Sequence, residues 1–288
     1  MSVVKAPSVE LSVVLPLFGD HQAIQVLPAV CRAWLAQDVP CEVVVGVAAG
    51  TRIPPLTDDR IKIVWADGAL TAPGPLRNIA AAACQAPVLY LSDGDVAPVG
   101  RDFAGQALKL LGDQAVVQPW MYRLVNPSDA LFATQPFERP GGGRLCHVFA
   151  DAQGRLVPVG GEQFSWLGPE LLAVEPPPGF GWRYEDGSPC PAFPFHWGGI
   201  LVRWATFDAV GGYCARYSGW GCEDDDLITK LAERVGVIRA FRTSARQLNC
   251  LHYEHPRTHT ATHLRANKAI YGERLAAGVD AMIEEDAR

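Results

Sequence analysis

The chain has 288 residues, 49% hydrophobic and 19% charged, a mixture that fills a core and argues against a disordered chain. Its formal charge is -6 and no run of Lys or Arg stands out, which argues against a nucleic-acid partner. No stretch approaches the ~20 apolar residues of a membrane span, and the start, MSVVKAPSVELSVVLPLFGD, lacks the basic opening and long apolar run of a signal peptide. A cytoplasmic protein is expected.

The first hundred residues alternate strand and helix signals. Leu11–Leu15 is a short β-branched run and reads as a buried strand, and Ala23–Gln37 carries apolar residues at helical spacing. Glu42–Val47 and Ile61–Trp65 are further buried strands, Arg77–Cys84 is an Ala-rich helix, and Val88–Leu91 is a fourth strand, ending at Ser92-Asp93-Gly94-Asp95. Strands alternating with helices imply a Rossmann-like, mostly parallel sheet flanked by helices, whose ligands bind beyond the carboxyl ends of the strands. The region from Gln118 to Phe195 (PWMYR, ERPGGGR, VPVGGEQFSW, EPPPGFGWRY) reads as loops and short strands, a place for acceptor recognition. Order returns at His196–Val202. Val237–Phe241 is strand-like, a helix runs from about Asp224 to Arg234, and Thr262–Glu284 reads as one C-terminal helix. Residues 1–288 are expected to form one domain: 1–100 binding a nucleotide, 101–260 an acceptor, and 261–288 a terminal helix. The eight cysteines (31, 41, 84, 146, 190, 214, 222 and 250) contain no C-x-x-C pair, which fits reduced buried thiols rather than a zinc site.

Three acidic or histidine-rich segments can carry chemistry. Asp93 and Asp95 flank a glycine after an apolar strand, where carboxylates can hold a hard divalent cation, although Asp-Gly turns also simply close strands. Glu223-Asp224-Asp225-Asp226 precedes the long helix. Carboxylates in a first helical turn favour the helix dipole, but four in a row also repel one another and raise one another's pKa, which suits a general base. His252-Tyr253-Glu254-His255 offers two histidines, of which one is expected as a metal ligand. Arg77 opens a helix after Gly74-Pro75-Leu76 and can receive a phosphate there; an exposed arginine with no such role is the plainer alternative.

Taken in order, LSVVLPLFG, PLRNIAAA, LYLSDGD, HWGGILVRWATFDAVGGY, YSGWGCEDDDLITKL and CLHYEH resemble the GT-A fold glycosyltransferases of the family 2 and family 7 type. These include β-1,4-galactosyltransferases, polypeptide N-acetylgalactosaminyltransferases and chondroitin polymerases. The segments span roughly residues 10 to 256, without a contribution from about 120 to 194. The resemblance implies an inverting, metal-dependent transfer of a hexosyl or N-acetylhexosaminyl group from a UDP-sugar to a glycan, peptide or small molecule. It implies Mn2+ (or Mg2+) held by Asp95 and by His252, with His255 the competing match. It makes Asp224 the catalytic base and puts Glu223, Asp225 and Trp220 on the acceptor. It puts Pro16, Phe18, Arg77, Asp93, Asp95, His196, Gly198 and Gly199 on the donor. Two departures stand out. The usual Asp-rich end of the second strand is Val45-Gly46-Val47-Ala48, leaving Asp67 as a substitute reader of the base, and Cys222 replaces a glycine of G-W-G-G-E-D.

Two other classes are weighed against this. A nicotinamide dehydrogenase would carry G-x-G-x-x-G after the first strand, where Pro16-Leu17-Phe18-Gly19 stands instead. A non-catalytic carbohydrate- or nucleotide-sugar-binding protein would have no need of both acidic motifs.

Overall fold

Every residue of β1 (Leu11–Leu17) and of β2 (Cys41–Val47) is buried, the mark of strands covered on both faces. The computed structural model describes residues 9–19, 23–68, 70, 72–127, 137–140, 144–168, 171–177, 192–243, 248–255 and 261–287. β1 lies between β2 and β4 (Val88–Leu91), parallel to both, and β3 (Ile61–Trp65) continues the parallel block beyond β2. β12 (Ile200–Arg203) runs antiparallel to β4 and to β6 (Ala115–Val117), and β13 (Val237–Arg239) lies parallel to β6. The strand order is β13-β6-β12-β4-β1-β2-β3.

Alternation along β1 feeds two cores. Val13 and Leu15 pack with α1 (Ala23–Leu35) and α3 (Phe103–Leu111), where Trp34, Tyr90 and Phe103 meet edge to face or tilted. Val14 packs on the opposite side with Leu89, Leu91, Leu227 and Leu231. There α2 (Pro73–Ala82) approaches so closely that a Cβ on Gly46 would stand 2.1 Å from the Leu76 carbonyl oxygen. Close helix packing therefore accounts for the glycine at the end of β2.

The aromatic middle region does contain short strands, and they join a second sheet that the sequence pattern did not reveal. Its order is β5-β14-β7-β8-β9, with β5 (Val96–Pro98), β7 (Trp120–Leu124), β8 (His147–Ala150), β9 (Leu156–Pro158) and β14 (Asn249–Tyr253). β10 (Gln163–Gly168) and β11 (Leu171–Glu175) form a separate antiparallel hairpin. β13 stops at Arg239 and gives way to a short 3₁₀ turn at Ala240–Arg242, so the expected strand to Phe241 is cut short.

The C-terminal helix is two helices. After α4 (Trp204–Ala209) and α5 (Glu223–Arg234) come α6 (Ala261–Ala277) and α7 (Val279–Asp286), broken at Gly278, whose φ of 91° a helix cannot continue. The break lets both helices grip α5. Arg274 donates to both carboxylate oxygens of Asp226 (2.6 and 3.2 Å) and to Asp286 (2.6 Å), while Lys230 donates to the Gly212 carbonyl at 2.6 Å. All four charged side chains are buried. No helix among the described residues is long and apolar enough to cross a membrane. The seven cysteines of the described residues are free, and Cys190 lies outside those residues.

Candidate active site

β4 belongs to the large sheet and β5 to the second, so Ser92-Asp93-Gly94-Asp95 is the turn where the sheets meet. β14 is fastened to this turn. It pairs with β5, and the Tyr253 N–H donates to the Asp95 carbonyl at 3.0 Å. The pairing carries both histidines to Asp95. His255 Nε2 is 2.8 Å and His252 Nε2 3.6 Å from Asp95 Oδ2. The ligand atoms of Asp95, His252 and His255 all lie within 4.8 Å of one another. Two imidazoles with one carboxylate form a transition-metal donor set rather than the all-oxygen cage that suits Mg2+ or Ca2+. The residues thus fit a divalent ion such as Mn2+, with both histidines in place rather than one.

Asp93 is not free for such an ion. One carboxylate oxygen accepts from Arg77, and the other lies 3.0 Å from His196 Nε2. Burial pushes the Asp93 carboxyl up, but Arg77 and His196 overcome this and hold it below the usual carboxylate range. Arg77 itself is buried rather than exposed. Its Nε donates to the Ser92 carbonyl (3.1 Å), its second fork reaches Asp224 Oδ1 (3.3 Å), and its guanidinium lies over the Tyr213 ring at 5.2 Å.

Glu223, Asp224 and Asp225 start α5. Asp224 Oδ1 also accepts from the Tyr213 hydroxyl at 3.0 Å. Oδ2 is packed against Gly198, where a Cβ would stand 3.0 Å away, so glycine is what makes room for the carboxylate. Gly199 is equally confined, because a Cβ there would stand 2.7 Å from Pro119 and 2.8 Å from His196 Nδ1. Asp225 accepts from Trp197 Nε1 at 2.9 Å. The H-W-G-G segment therefore touches the D-x-D turn through His196 and the E-D-D segment through Trp197 and Gly198. Burial pushes the Asp224 carboxyl up; Arg77 draws it down, Asp93 pushes it up again, and it stays above the usual range. Glu223 is raised by burial and by Asp224. Asp225 is raised by burial to about 6.

The loop before α5 is wound left-handed at Gly219, Gly221 and Cys222, with φ of 64°, 109° and 70°. Cys222 thus holds a conformation that suits the glycine it replaces. Asn267, buried on α6, secures the loop by donating to the Ser218 and Trp220 carbonyls at 3.0 and 3.2 Å. The Trp220 side chain stays 40% exposed.

A cavity of about 460 Å³ joins these parts. It is lined by Pro16, Phe18, Asp93, Asp95, His196 and Gly198, by Trp220, Glu223, Asp224 and Asp225, and by His252 and His255. Arg77 and Gly199 stand behind the lining, and Asp67 is exposed after β3, outside it. Arg123 and Glu254 line the cavity without having been expected there, as do Phe193 and Phe195 and, from α6, Leu264 and Lys268. Glu254 lies two residues from His252, a visible signal once the segment is known to be a strand. Arg123 gave no signal, because the middle region shows no register. A second metal-capable group, Cys146, His147 and Glu162, is accounted for by hydrogen bonds. Glu162 accepts from the backbone N–H of Cys146 (2.7 Å) and of His147 (2.6 Å), and burial pushes the Cys146 thiol up to about 12.

Residues 192–256, the stretch that supplies His196 through His255, match the sequence profile of the N-terminal domain of galactosyltransferase. No curated protein sequence matches the chain significantly. Among solved structures, the mannosyltransferase PcManGT from Pyrobaculum calidifontis, in complex with GDP-Man and Mn2+, aligns with 99% of this chain and 73% of its own at a TM-score of 0.51 and 14% identity. GalNAc-T7, solved with UDP, GalNAc and Mn2+, aligns with 92% of this chain at a TM-score of 0.50 and 13% identity. The alignment spans 48% of the GalNAc-T7 chain. The fold is that of the GT-A glycosyltransferases, as the sequence resemblance implies.

Proposed function

We propose that the chain is a glycosyltransferase that moves a hexosyl or N-acetylhexosaminyl group from a UDP-sugar to an acceptor nucleophile on a glycan, peptide or small molecule, with inversion and with a divalent metal. One observation carries this reading: a metal-capable Asp95–His252–His255 group and a basic carboxylate, Asp224, share one cavity. The Mn2+ and nucleotide in the PcManGT and GalNAc-T7 complexes support it.

Asp95, His252 and His255 would hold the metal, which when bound offsets the charge that the departing diphosphate gains. The chain's own residues do the rest. Asp224 Oδ2 takes the proton of the acceptor nucleophile as that atom bonds to the anomeric carbon. The bond from that carbon to the diphosphate oxygen breaks, and its electron pair leaves with UDP. Attack on the face opposite the diphosphate inverts the anomeric centre. Arg77 and Tyr213 fix Asp224 through Oδ1, which leaves Oδ2 to work. Glu223 and Asp225 would hold the acceptor, with Trp220 as a flat wall for a sugar ring. Pro16, Phe18, His196 and Gly198 would line the donor, and Asp93 would act as an orienting acceptor held by Arg77 and His196.

The test is release of UDP from a panel of UDP-sugars, run beside GDP-mannose, with Mn2+ and with excess chelator. Metal-dependent release of UDP from at least one sugar is expected. Tight UDP-sugar binding with no release under any condition would favour the non-catalytic binding protein, and release in excess chelator would remove the metal from the account.

A further inference from the structure

β14 is extended, so residues two apart share a face. Glu254 directly follows the strand and meets His252 on one side, while the ring of Tyr253, between them, is buried. The same register sets Arg123 of β7 directly beside His252, and the Glu254 N–H donates to the Leu124 carbonyl at 3.1 Å. Sheet pairing thus fixes three side chains in a row. Arg123 Nη1 donates to Glu254 Oε1 at 2.6 Å, and the same oxygen lies 3.1 Å from His252 Nδ1. The other ring nitrogen, Nε2, faces Asp95.

A neutral imidazole carries one N–H and one lone pair, and a carboxylate paired with an arginine is only an acceptor. The nitrogen that meets Glu254 must carry the proton. Nε2 is then left with its lone pair on the Asp95 side, where the other candidate ligands stand. Burying an ion pair as deeply as Arg123 and Glu254 adds little or nothing to stability on its own. Orientation of a metal-binding histidine gives the pair a reason. Metal-bound histidines commonly donate their second N–H to a carboxylate, and loss of that partner weakens the metal by about 10–100-fold.

We propose that Glu254, braced by Arg123, is a positioning residue that locks His252 in the tautomer presenting Nε2, and so sets the affinity of the Asp95–His252–His255 site. This rests on the metal-dependent reading above and deepens it.

The experiment is Mn2+ titration of the full chain, stripped of metal, read by the electron paramagnetic resonance of free Mn2+, with and without UDP. Arg123→Leu/Glu254→Leu removes both buried charges together, so neither is left unpaired, and it takes away the acceptor that holds the proton on Nδ1. It should weaken Mn2+ binding by about 10–100-fold while melting in excess chelator close to wild type. In a His252→Ala background the same change should alter the residual affinity by less than about two-fold, because the histidine it acts through is gone. If that variant does not fold, Arg123→Met/Glu254→Met, whose flexible side chains fill the same space without an acceptor for Nδ1, carries the same comparison. Wild-type-like Mn2+ affinity in the folded variant, or an equal loss in both backgrounds, overturns the proposal. A wild-type chain that binds no Mn2+ in either condition overturns the metal reading together with it.

Discussion

Asp93 and Asp224, distant in sequence, are held by the two forks of a single buried guanidinium, that of Arg77. The two carboxylates raise each other's cost of ionising, and the shared arginine offsets that repulsion. It also ties the D-x-D turn after β4 to the first turn of α5.

Arg77→Met should therefore cost about 1.5–3 kcal/mol of stability, the usual effect of losing a charged hydrogen-bond partner, because Asp93 and Asp224 keep some contact with solvent. Urea unfolding measures this. Arg77→Lys keeps the charge but loses the planar fork. It should recover part of the stability and little of the sugar-transfer rate, whereas full recovery of both would mean that charge alone suffices.

Asp225 links stability to pH. Burial raises its carboxyl to about 6, above the ordinary value of 3.8, so the folded state favours the protonated form. That contribution is fully present below the unfolded value and is lost as pH rises through about 6. Asp225→Asn keeps an oxygen for the Trp197 N–H and removes the titration. Its stability relative to wild type should rise between pH 4 and pH 7.5, and a flat difference across that window would contradict the burial argument.

At Cys222 the backbone conformation can be tested directly. A left-handed residue other than glycine costs roughly 1–2 kcal/mol, and Cys222→Gly relieves this but loosens the unfolded chain and gives up a small buried side chain. The net change should lie within about 1 kcal/mol of wild type. Cys222→Val puts a β-branched residue at a φ of 70° and should destabilise by about 2 kcal/mol or more. Equal stability of the two variants, read by thermal unfolding, would mean that the loop is not left-handed there.

The C-terminal clamp should be one unit with α5. Arg274→Met leaves Asp226 and Asp286 buried without their arginine and should cost about 3–5 kcal/mol. The loss should slow sugar transfer as well, because Asp226 directly follows the three cavity-lining carboxylates. A destabilised variant with an unchanged rate would separate the clamp from the site.

Much of this was legible in the sequence. Strands β1, β2 and β4 were, because burial on both faces leaves continuous apolar runs that need no partner to be recognised; Ile61–Trp65 is a strand as expected but not a buried one, because β3 is the edge of the sheet and leaves Trp65 51% exposed. The acidic motifs and the H-W-G-G segment were, because their spacing is local. The second sheet was not: β7, β8 and β14 are short, and their residues alternate too little to separate strand from loop. With that sheet hidden, His252 and His255 read as rivals for one role, whereas the pairing of β14 with β5 brings both to Asp95. Arg77 read as a phosphate or donor contact or an exposed side chain, because helix position says nothing of what the next strand's carbonyl and a distant helix offer it. The break at Gly278 was hidden by the helical propensity on either side of it.

The most direct measurement is the rate of UDP release by Asp224→Asn beside wild type, with Mn2+, a UDP-sugar donor that wild type turns over, and UDP affinity measured in parallel. Asparagine preserves shape and the acceptor oxygen for Tyr213 but is a far weaker base. The rate should fall by about 10²–10⁴-fold while UDP affinity stays within a few-fold. A rate near wild type would leave the acidic run as a helix terminus, for which asparagine serves equally well, and would contradict the assignment of Asp224 as the base.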